Sequence, residues 1–563
     1  IRMSDRSGDN GDLKKKLLSV VNDDEVMEDQ GGMGMGDGEG SFETMTLTTI
    51  PATNDEEGGG QSHKVAPPCH PNYLPLWQKP LARQFWVKTD YGYVSSLSLR
   101  KEHRAATPAD LVFDLVFVVL LNRLGRSLRA EIDDNPVNAY RDFFALFIPI
   151  WFQWFNVVGF LNRFETKDFV FAVFFVLNLI SMSFVGVSAE RCGSAQIREE
   201  CGDFAWSIAW NRLLLIIMVV YVLYHNWQYK KQTIFYLIPD CLTTFFWFLV
   251  GFMPAGEQCC DPNEEGCPLN SCWTPFIVCW WSAIFFDFFK ASMPLWFFNL
   301  KLLKSREEIM AFNLPLLVER YELFVIISIG EVVAASLASQ EVAGGHTASD
   351  DDHHRMLEGD GSDEFSKETY ILVALIVLEA ALIKMAYFDV AEHPCPTGKN
   401  GSKRQHALAR KAKTGVAWVM LHMPLNAAIV IFGSIMEPLK LHGEFNQVYA
   451  NSLSFSLALI VVIIGIFDLI HGGGREQLRR ISKQKRTQFR CLLVVMLAVL
   501  PFVTDWTSSP LGFVASCNVI TGIEVAFTFY SFHPKAIVEE RRRKREGIKG
   551  LMRGESSSIA SDI

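Results

Sequence analysis

The sequence predicts an all-α fold, a polytopic transmembrane helical bundle of about 12 spanning helices. Three observations carry that prediction. Twelve long apolar runs divide the chain, each close to the roughly 20 residues that a helix needs to cross the hydrocarbon core. Basic residues alternate strongly between the loops that join these runs. Cysteines gather in two of the loops that this alternation places outside. Composition agrees, since 49% of the 563 residues are hydrophobic and only 20% are charged, against about 25% in an ordinary soluble chain.

Residues 1–70 are polar, acidic and Gly-rich, with GGMGMGDGEG at 31–40. They lack the apolar periodicity that would repay ordering, so a disordered cytoplasmic tail is expected. The start Ile1-Arg2-Met3 leaves room for residues upstream, a cleaved targeting segment among them. Residues 71–105 mix Trp, Tyr and basic residues, which suits a cytoplasmic segment at the membrane surface. The membrane domain proper is expected over 106–533, followed by a basic cytoplasmic tail over 534–563 with RRRKR at 541–545. Its apolar runs centre in 110–128, 143–161, 168–188, 204–224, 234–253, 274–298, 315–338, 369–388, 414–436, 453–470, 489–505 and 511–531. Helices are expected because lipid cannot satisfy backbone hydrogen bonds and the runs lack the alternation of barrel strands. The shortest run, 489–505, contains Pro501.

Loops on one side of this arrangement hold 19 Lys and Arg, against 8 on the other. The RRRKR tail falls with the basic set, so the positive-inside rule places both termini in the cytoplasm. The net charge of -9 comes largely from the acidic tail and two acidic loops, and nothing in it suggests nucleic acid. Cys192 and Cys201 share one outward loop, and Cys259, Cys260, Cys267 and Cys272 share another. An oxidising outer face makes these six disulfide candidates, Cys192–Cys201 in particular; pairing inside the second loop stays open. A metal-binding cysteine cluster is disfavoured by the absence of C-x-x-C spacing. The sequon Asn400-Gly401-Ser402 lies in a cytoplasmic loop and should stay unmodified.

Helices 1 and 7 share a pattern, FDLVFVVLLNRLG (113–125) over YELFVIISIGEVV (321–333), and helices 3 and 9 share Leu177-Asn178 and Leu425-Asn426. A parallel 6+6 duplication would explain both matches.

An ionisable side chain at the bilayer centre costs roughly 2.5–3.5 kcal/mol on insertion scales, so each needs a partner or a purpose. Asp110 and Asp114 lie one turn apart on helix 1. Helix 7 carries Glu319, Arg320, Glu322 and Glu331; helix 8 carries Glu379 and Lys384 and ends at Asp389; helix 9 carries His422 and Asn426. Further charges stand singly or in pairs, with Asn211 and Arg212 on helix 4, Asp240 on helix 5, Asp287 and Lys290 on helix 6, Asp468 on helix 10 and Glu524 on helix 12. Asp110, Glu319, Glu322 and Asp389 sit near helix ends, where solvated or capping roles are ordinary. Arg320 has Asp114 and Glu319 as candidate partners, and a structural ion pair competes there with a functional site. His422 and Asn426 suit hydrogen-bonded packing or, alternatively, a titrating group in a hydrated cavity. Glu331 and Glu379 stand near mid-membrane with no same-helix cation one turn away, and Lys384 is a candidate counter-charge for Glu379. The loop residues His346, Asp350, Asp351, Asp352, His353 and His354 read as a solvated run rather than a metal site.

HRAATPADLVFDLVFVVLL (103–121), LVERYELFVIISIGEVV (317–333), MAYFDVAE (385–392) and AWVMLHMPLNAAIVIFGSIME (417–437) occur in that order. Together they resemble the motifs of the low temperature requirement A (LtrA) family of membrane proteins. The first is similar to an Arg-x-x-T stretch followed by E-L-F-F-D-L-V-F-V, with Asp110 for the usual Glu and Val112 for an aromatic. The second is similar to E-R-F-x-L-F-x-I-I-x-L-G-E, the third to W-x-Y-F-D with Lys384-Met385-Ala386 departing, and the fourth to Y-x-H-L-P-L-x-x-G-I-V. The resemblance covers about 100–440 and carries the family pattern onto Asp114, Glu319, Arg320, Glu331, Asp389 and His422. The family is named for a growth phenotype in the cold, so the resemblance implies a multi-pass membrane protein without assigning these residues a role.

No HExxH, GxSxG or GxxxxGK[ST] signature occurs, and no cofactor, metal or enzymatic activity is expected. Asn122-Arg123-Leu124-Gly125-Arg126 resembles a D-R-x-G-R loop of major facilitator transporters, but it stands on the opposite side of the membrane from that motif. The leading expectation is a proton- or ion-coupled transporter or channel, whose pathway is lined by Asp114, Arg320, Glu331, Glu379, Lys384, His422 and Asn426. The alternatives are a membrane-homeostasis or scaffold protein with purely structural ion pairs, and an intramembrane lipid-acting enzyme using His422, Asp114 and Glu331. The bilayer is the one partner implied. The solute, the oligomeric state and which membrane houses the chain are not encoded in these patterns.

Overall fold

Twelve long helices follow one another among the described residues, one for each apolar run: α1 Pro108–Ile132, α2 Pro136–Arg163, α3 Phe169–Ser194, α4 Cys201–His225, α5 Lys230–Phe252, α6 Trp273–Leu300, α7 Leu314–Leu337, α8 Lys367–Lys384, α9 Ala412–Leu441, α10 Gln447–Ile470, α11 Lys483–Val503 and α12 Pro510–Ser531. The structure is a computed structural model and describes residues 81–82, 86–89, 92–95, 107–165, 168–194, 201–253, 273–300, 313–337, 367–389, 407–410, 412–441, 446–471, 481–503 and 509–531. Both tails, the second cysteine group (Cys259, Cys260, Cys267 and Cys272), His346 to His354, the Asn400 sequon and the Asp389 side chain lie outside the described residues. Ten of these helices are long and apolar enough to cross a membrane. The other two, α1 and α7, carry Asp110, Asp114 and Arg123 on one and Glu319, Arg320, Glu322 and Glu331 on the other. Beside the bundle are two short antiparallel strand pairs, Trp86–Thr89 with Gly92–Ser95 and Leu81–Ala82 with Phe164–Glu165.

Helix starts follow local chemistry. Thr107 caps α1 in a reciprocal capping box: its hydroxyl accepts from the Asp110 backbone N–H, and the Asp110 carboxylate accepts from the Thr107 N–H at 2.9 Å, with Pro108 in the first turn. Asn135 caps α2 ahead of Pro136. Asn313 caps α7 and is itself held from two sides, because Asn162 at the end of α2 accepts from its N–H at 2.8 Å and donates to its carbonyl at 2.9 Å. That clasp fixes the start of α7, and hence Arg320, against α2. At the far end of α8 the backbone widens into a π-helical turn, Met385–Asp389, a local geometry that often marks functional positions.

Helices α2 and α9 form the centre, with 67% and 61% of their apolar spans buried, whereas α3 and α11 are peripheral at 33% and 28%. The central contact is aromatic, with Trp151, Trp154, Phe147 and Phe152 of α2 all fully buried. Close approach of α9 to its neighbours depends on small residues. A Cβ on Gly125 of α1 would lie 2.2 Å from the Ser434 hydroxyl, and one on Gly433 would meet a Val332 methyl of α7 at 3.0 Å. Peripheral helices present Val176, Ile180, Phe184, Leu492, Val495 and Val499 outward, as a lipid-facing surface requires.

Cys192 and Cys201 are joined as a disulfide, with Cα atoms 4.7 Å apart, so the last turn of α3 is tied to the first residue of α4. Closing a short loop of this kind contributes about 2–4 kcal/mol in typical cases. Cys201→Ser should therefore lower the thermal midpoint of the detergent-solubilised protein, and reductant should lower the wild type to the same value. A wild-type midpoint indifferent to reductant would show the bridge absent.

Candidate functional site

Three helices of the same sense, α1, α7 and α9, bring together most of the residues singled out from sequence. At one end, Arg320 of α7 is buried between two carboxylates of α1. Its guanidinium reaches Asp110 Oδ1 at 2.5 Å and Asp114 Oδ1 at 2.7 Å. The same Asp114 oxygen accepts from Trp154 Nε1 of α2 at 2.8 Å. Asp110 is thus both capping residue and counter-ion, and Arg320 pairs with Asp114 and Asp110. Its sequence neighbour Glu319 is half-buried on an adjacent face, because consecutive helical residues stand about 100° apart.

Next along the helices comes a plug of rings. Phe324 packs against Trp154 at 4.5 Å, Phe117 at 5.3 Å and Trp151 at 5.5 Å between centroids, and Tyr321 against Trp154 at 5.0 Å. Tyr321 continues to His422 at 4.8 Å, whose ring also packs on Trp418 at 4.2 Å and Phe467 at 4.8 Å. His422 is fully buried. Its Nδ1 lies 2.7 Å from the Trp418 carbonyl, and its Nε2 lies 2.7 Å from the Tyr387 hydroxyl of the π turn. A carbonyl can only accept, so Nδ1 carries a hydrogen, and a neutral ring then receives the Tyr387 O–H at Nε2. Asn426, one turn on, donates to the His422 carbonyl at 2.7 Å. Glu322 is half-buried.

At the opposite end of α7, Glu331 accepts from the Asn122 amide of α1. Around it a small hollow of about 30 Å³ is lined by Asn122, Arg126, Ser328, Glu331 and Ser434 together with Val118, Val332 and Val430. That volume is close to the share of one liquid water. Arg126 and its neighbour Arg123 also approach Glu190 of α3, at 4.0 and 3.2 Å.

Glu379 does not join this column. It is fully buried on α8 facing α12, where the Thr521 hydroxyl and Cys517 lie beside it. Neither carboxylate oxygen has a hydrogen-bond partner among the described residues. The expectation that Lys384 neutralises it fails. Five residues on, Lys384 points outward and is exposed, on another face of the helix.

Two clusters were visible in the sequence only as scattered charges. In the first, Arg212 of α4 reaches Asp287 of α6 at 2.6 Å and Asp240 of α5 at 3.6 Å, and Lys290 of α6 reaches Asp240 at 2.5 Å. In the second, Arg490 of α11 reaches Glu524 of α12 at 2.6 Å and Asp468 of α10 at 3.0 Å, with Arg486 on Asp468 at 3.2 Å. Each sets two cations against two carboxylates. Sequence also missed Asn122, Trp154 and Tyr387 as partners. Asn122 could have been found, since a polar side chain in an apolar run needs a partner as much as a charge does.

Residues 105–525 match the family described as bacterial low temperature requirement A protein (LtrA). The chain belongs to the LtrA family. No curated protein and no solved structure matches the chain. The LtrA region spans all three helices of the column, and it includes the Asp114, Arg320, Glu331 and His422 positions.

Removing Arg320 strands two carboxylates in the protein interior. Arg320→Gln should cost about 3–5 kcal/mol, the usual penalty for breaking a buried pair. Combining it with Asp114→Asn should recover part of that loss. Chemical unfolding in mixed micelles measures both, and additive effects would show that the two residues do not interact.

Proposed function

We propose that this LtrA chain is a proton- or ion-coupled transporter or channel, whose pathway follows α1, α7 and α9. The observation that carries this reading is the polar column itself. A small hollow at Glu331 is separated by a plug of aromatic rings from the Arg320–Asp110–Asp114 group. Asp114 Oδ2, Arg320 Nε and Asn426 Oδ1 are buried along it without a protein hydrogen-bond partner among the described residues, which suits a route that takes up water or solute. Glu331 is the proton- or ion-binding group at the open end, and the aromatic plug with the Arg320 pair is the closed end. The chain has no catalytic role in this reading.

The membrane frame proposed with it has all twelve helices spanning and both termini cytoplasmic. Charge alone sets α1 and α7 apart from the other ten, and Asp110, Asp114, Arg320 and Glu331 among those charges have partners on neighbouring helices. Each also turns an apolar stripe outward, Leu111, Leu115 and Val119 on α1 and Ile326, Gly330 and Ala334 on α7. The disulfide-bonded α3–α4 connection is then on the oxidising side. A parallel 6+6 duplication has support in the packing. In the first six helices, α1 touches α2 and α3, α3 touches α4, α4 to α6 pack in series, and α6 returns to α2. The same pairs, six numbers on, touch in the second six. The two four-charge clusters fall in the corresponding trios, α4–α6 and α10–α12. Asn178 and Asn426, the shared Leu-Asn positions, are both fully buried.

The competing reading, a scaffold with structural ion pairs, is favoured by those two internally neutral clusters. Reconstitution into liposomes with imposed proton and ion gradients separates the two. In the transporter reading, wild type dissipates at least one gradient, and Glu331→Gln removes most of that flux with a near-native thermal midpoint. Silence of the wild type across gradients, with Glu331→Gln altering stability alone, selects the scaffold.

A further inference from the structure

A furrow of about 470 Å³ lies between α3 and α4, shares no lining residue with the hollow at Glu331, and falls within the usual ligand-site range of about 300–1,000 Å³. Leu177, Ile180, Phe184 and Trp210 line it and are themselves exposed, so it opens to the surroundings of the bundle. Toward the Cys192–Cys201 bridge the lining changes character. Arg191 from the last turn of α3 and Asp203 from the first turn of α4 stand at its mouth, beside Trp206. Trp206 is a fixed wall, because its Nε1 donates to the Gly251 carbonyl of α5 at 2.8 Å. One turn deeper, the Ser188 and Ser207 hydroxyls approach at 3.4 Å. Ser188 shares its hydrogen between the Phe184 carbonyl at 2.8 Å and the Ser207 oxygen, so Ser207 meets Ser188 as an acceptor and keeps its own hydrogen.

We infer that this furrow binds a single phospholipid whose headgroup carries both a phosphate and a primary ammonium. The order of chemistries along it matches that molecule from end to end. The guanidinium of Arg191 suits the phosphate, which it can meet through paired N–H groups. The carboxylate of Asp203 suits the ammonium. Ser188 is three residues from Arg191, about 4.5 Å along the helix, the depth at which an ester carbonyl could accept from Ser207. The apolar length beyond, with Trp210 on its wall, takes an acyl chain, and Trp206 stands nearer the end of α4, toward the interfacial level where tryptophan is enriched. A quaternary choline headgroup has no N–H to give Asp203, and a glycerol headgroup offers it no cation. An ordinary lipid-facing surface would distinguish none of the three. The disulfide sets the spacing of Arg191 and Asp203 by tying together the two turns that carry them.

The test uses the full-length chain, delipidated in detergent and offered equal amounts of ethanolamine, choline and glycerol phospholipids with matched acyl chains. Native mass spectrometry reads what is retained. Wild type should hold the ethanolamine lipid several-fold over the other two. Asp203 is exposed, so Asp203→Asn should fold normally and lose about threefold of the margin over choline, the weight of one exposed ion pair. Leu177→Trp, which fills the apolar length from the lipid side, should lower retention of all three. Equal retention of the three by wild type overturns the proposal. An ethanolamine preference that survives both substitutions overturns it too.

Discussion

The ion group of Arg320 with Asp110 and Asp114 is the constraint on which the rest of the bundle depends. It unites α1 and α7 in the buried interior of the bundle, and Trp154 brings in α2. Its energetics are asymmetric. Bringing the three groups out of water is costly, and their attraction roughly offsets that cost only when the geometry is good. Once they are inside, losing any one is far more damaging than never having had them. Asp110 shows how the geometry is secured. Its carboxylate sits at the positive end of the α1 dipole and is held by the Thr107 N–H and hydroxyl, at 2.9 and 2.8 Å, before Arg320 is counted. The arginine therefore meets carboxylates already held in place.

The two four-charge clusters follow the same logic on a local scale. Each draws its members from three successive helices, and each is neutral overall, so no single helix inserts a charge without a neighbour supplying the opposite one. In lipid, apolar side chains give little preference for protein over membrane, and polar contacts between helices carry more of the specificity. The clusters thus set which faces of α4 to α6 and α10 to α12 meet. The column on α1, α7 and α9 differs in kind. Its polar atoms are separated by rings rather than paired into one neutral knot, and some have no hydrogen-bond partner among the described residues.

Much of this was legible in the sequence for physical reasons that can be stated. The helices were legible because a bilayer demands long apolar runs, and every one of the twelve runs became a helix, ten of them apolar enough to cross a membrane. The Asp114–Arg320 pairing was legible because both residues violate that demand and have opposite signs. The Cys192–Cys201 bridge was legible because only a short loop separates the two. What escaped depends on rotation about helix axes. Glu379 and Lys384 looked like partners on one helix, yet five residues of helical phase put one inside and the other outside. Asp240 and Lys290 meet only because α5 and α6 turn particular faces to each other, and nothing local in either run specifies that. Tyr387 escaped for a further reason, since its direction is set by a change of helical geometry that periodicity cannot anticipate.

That change of geometry, the wide turn at Met385–Asp389, gives α8 a property the other helices lack in their described parts. A π turn holds one residue more than an α turn of the same height, so it stores slack in the backbone ladder. Passing that slack along the helix rotates whatever lies between its old and new positions by about 100°. Tyr387 is such a residue, and the rotation would swing its hydroxyl from His422 toward another face of α8. In the register seen here, the hydroxyl meets the imidazole at Nε2. Backbone register, a quantity invisible in any list of side-chain contacts, thus sets whether that bond is made.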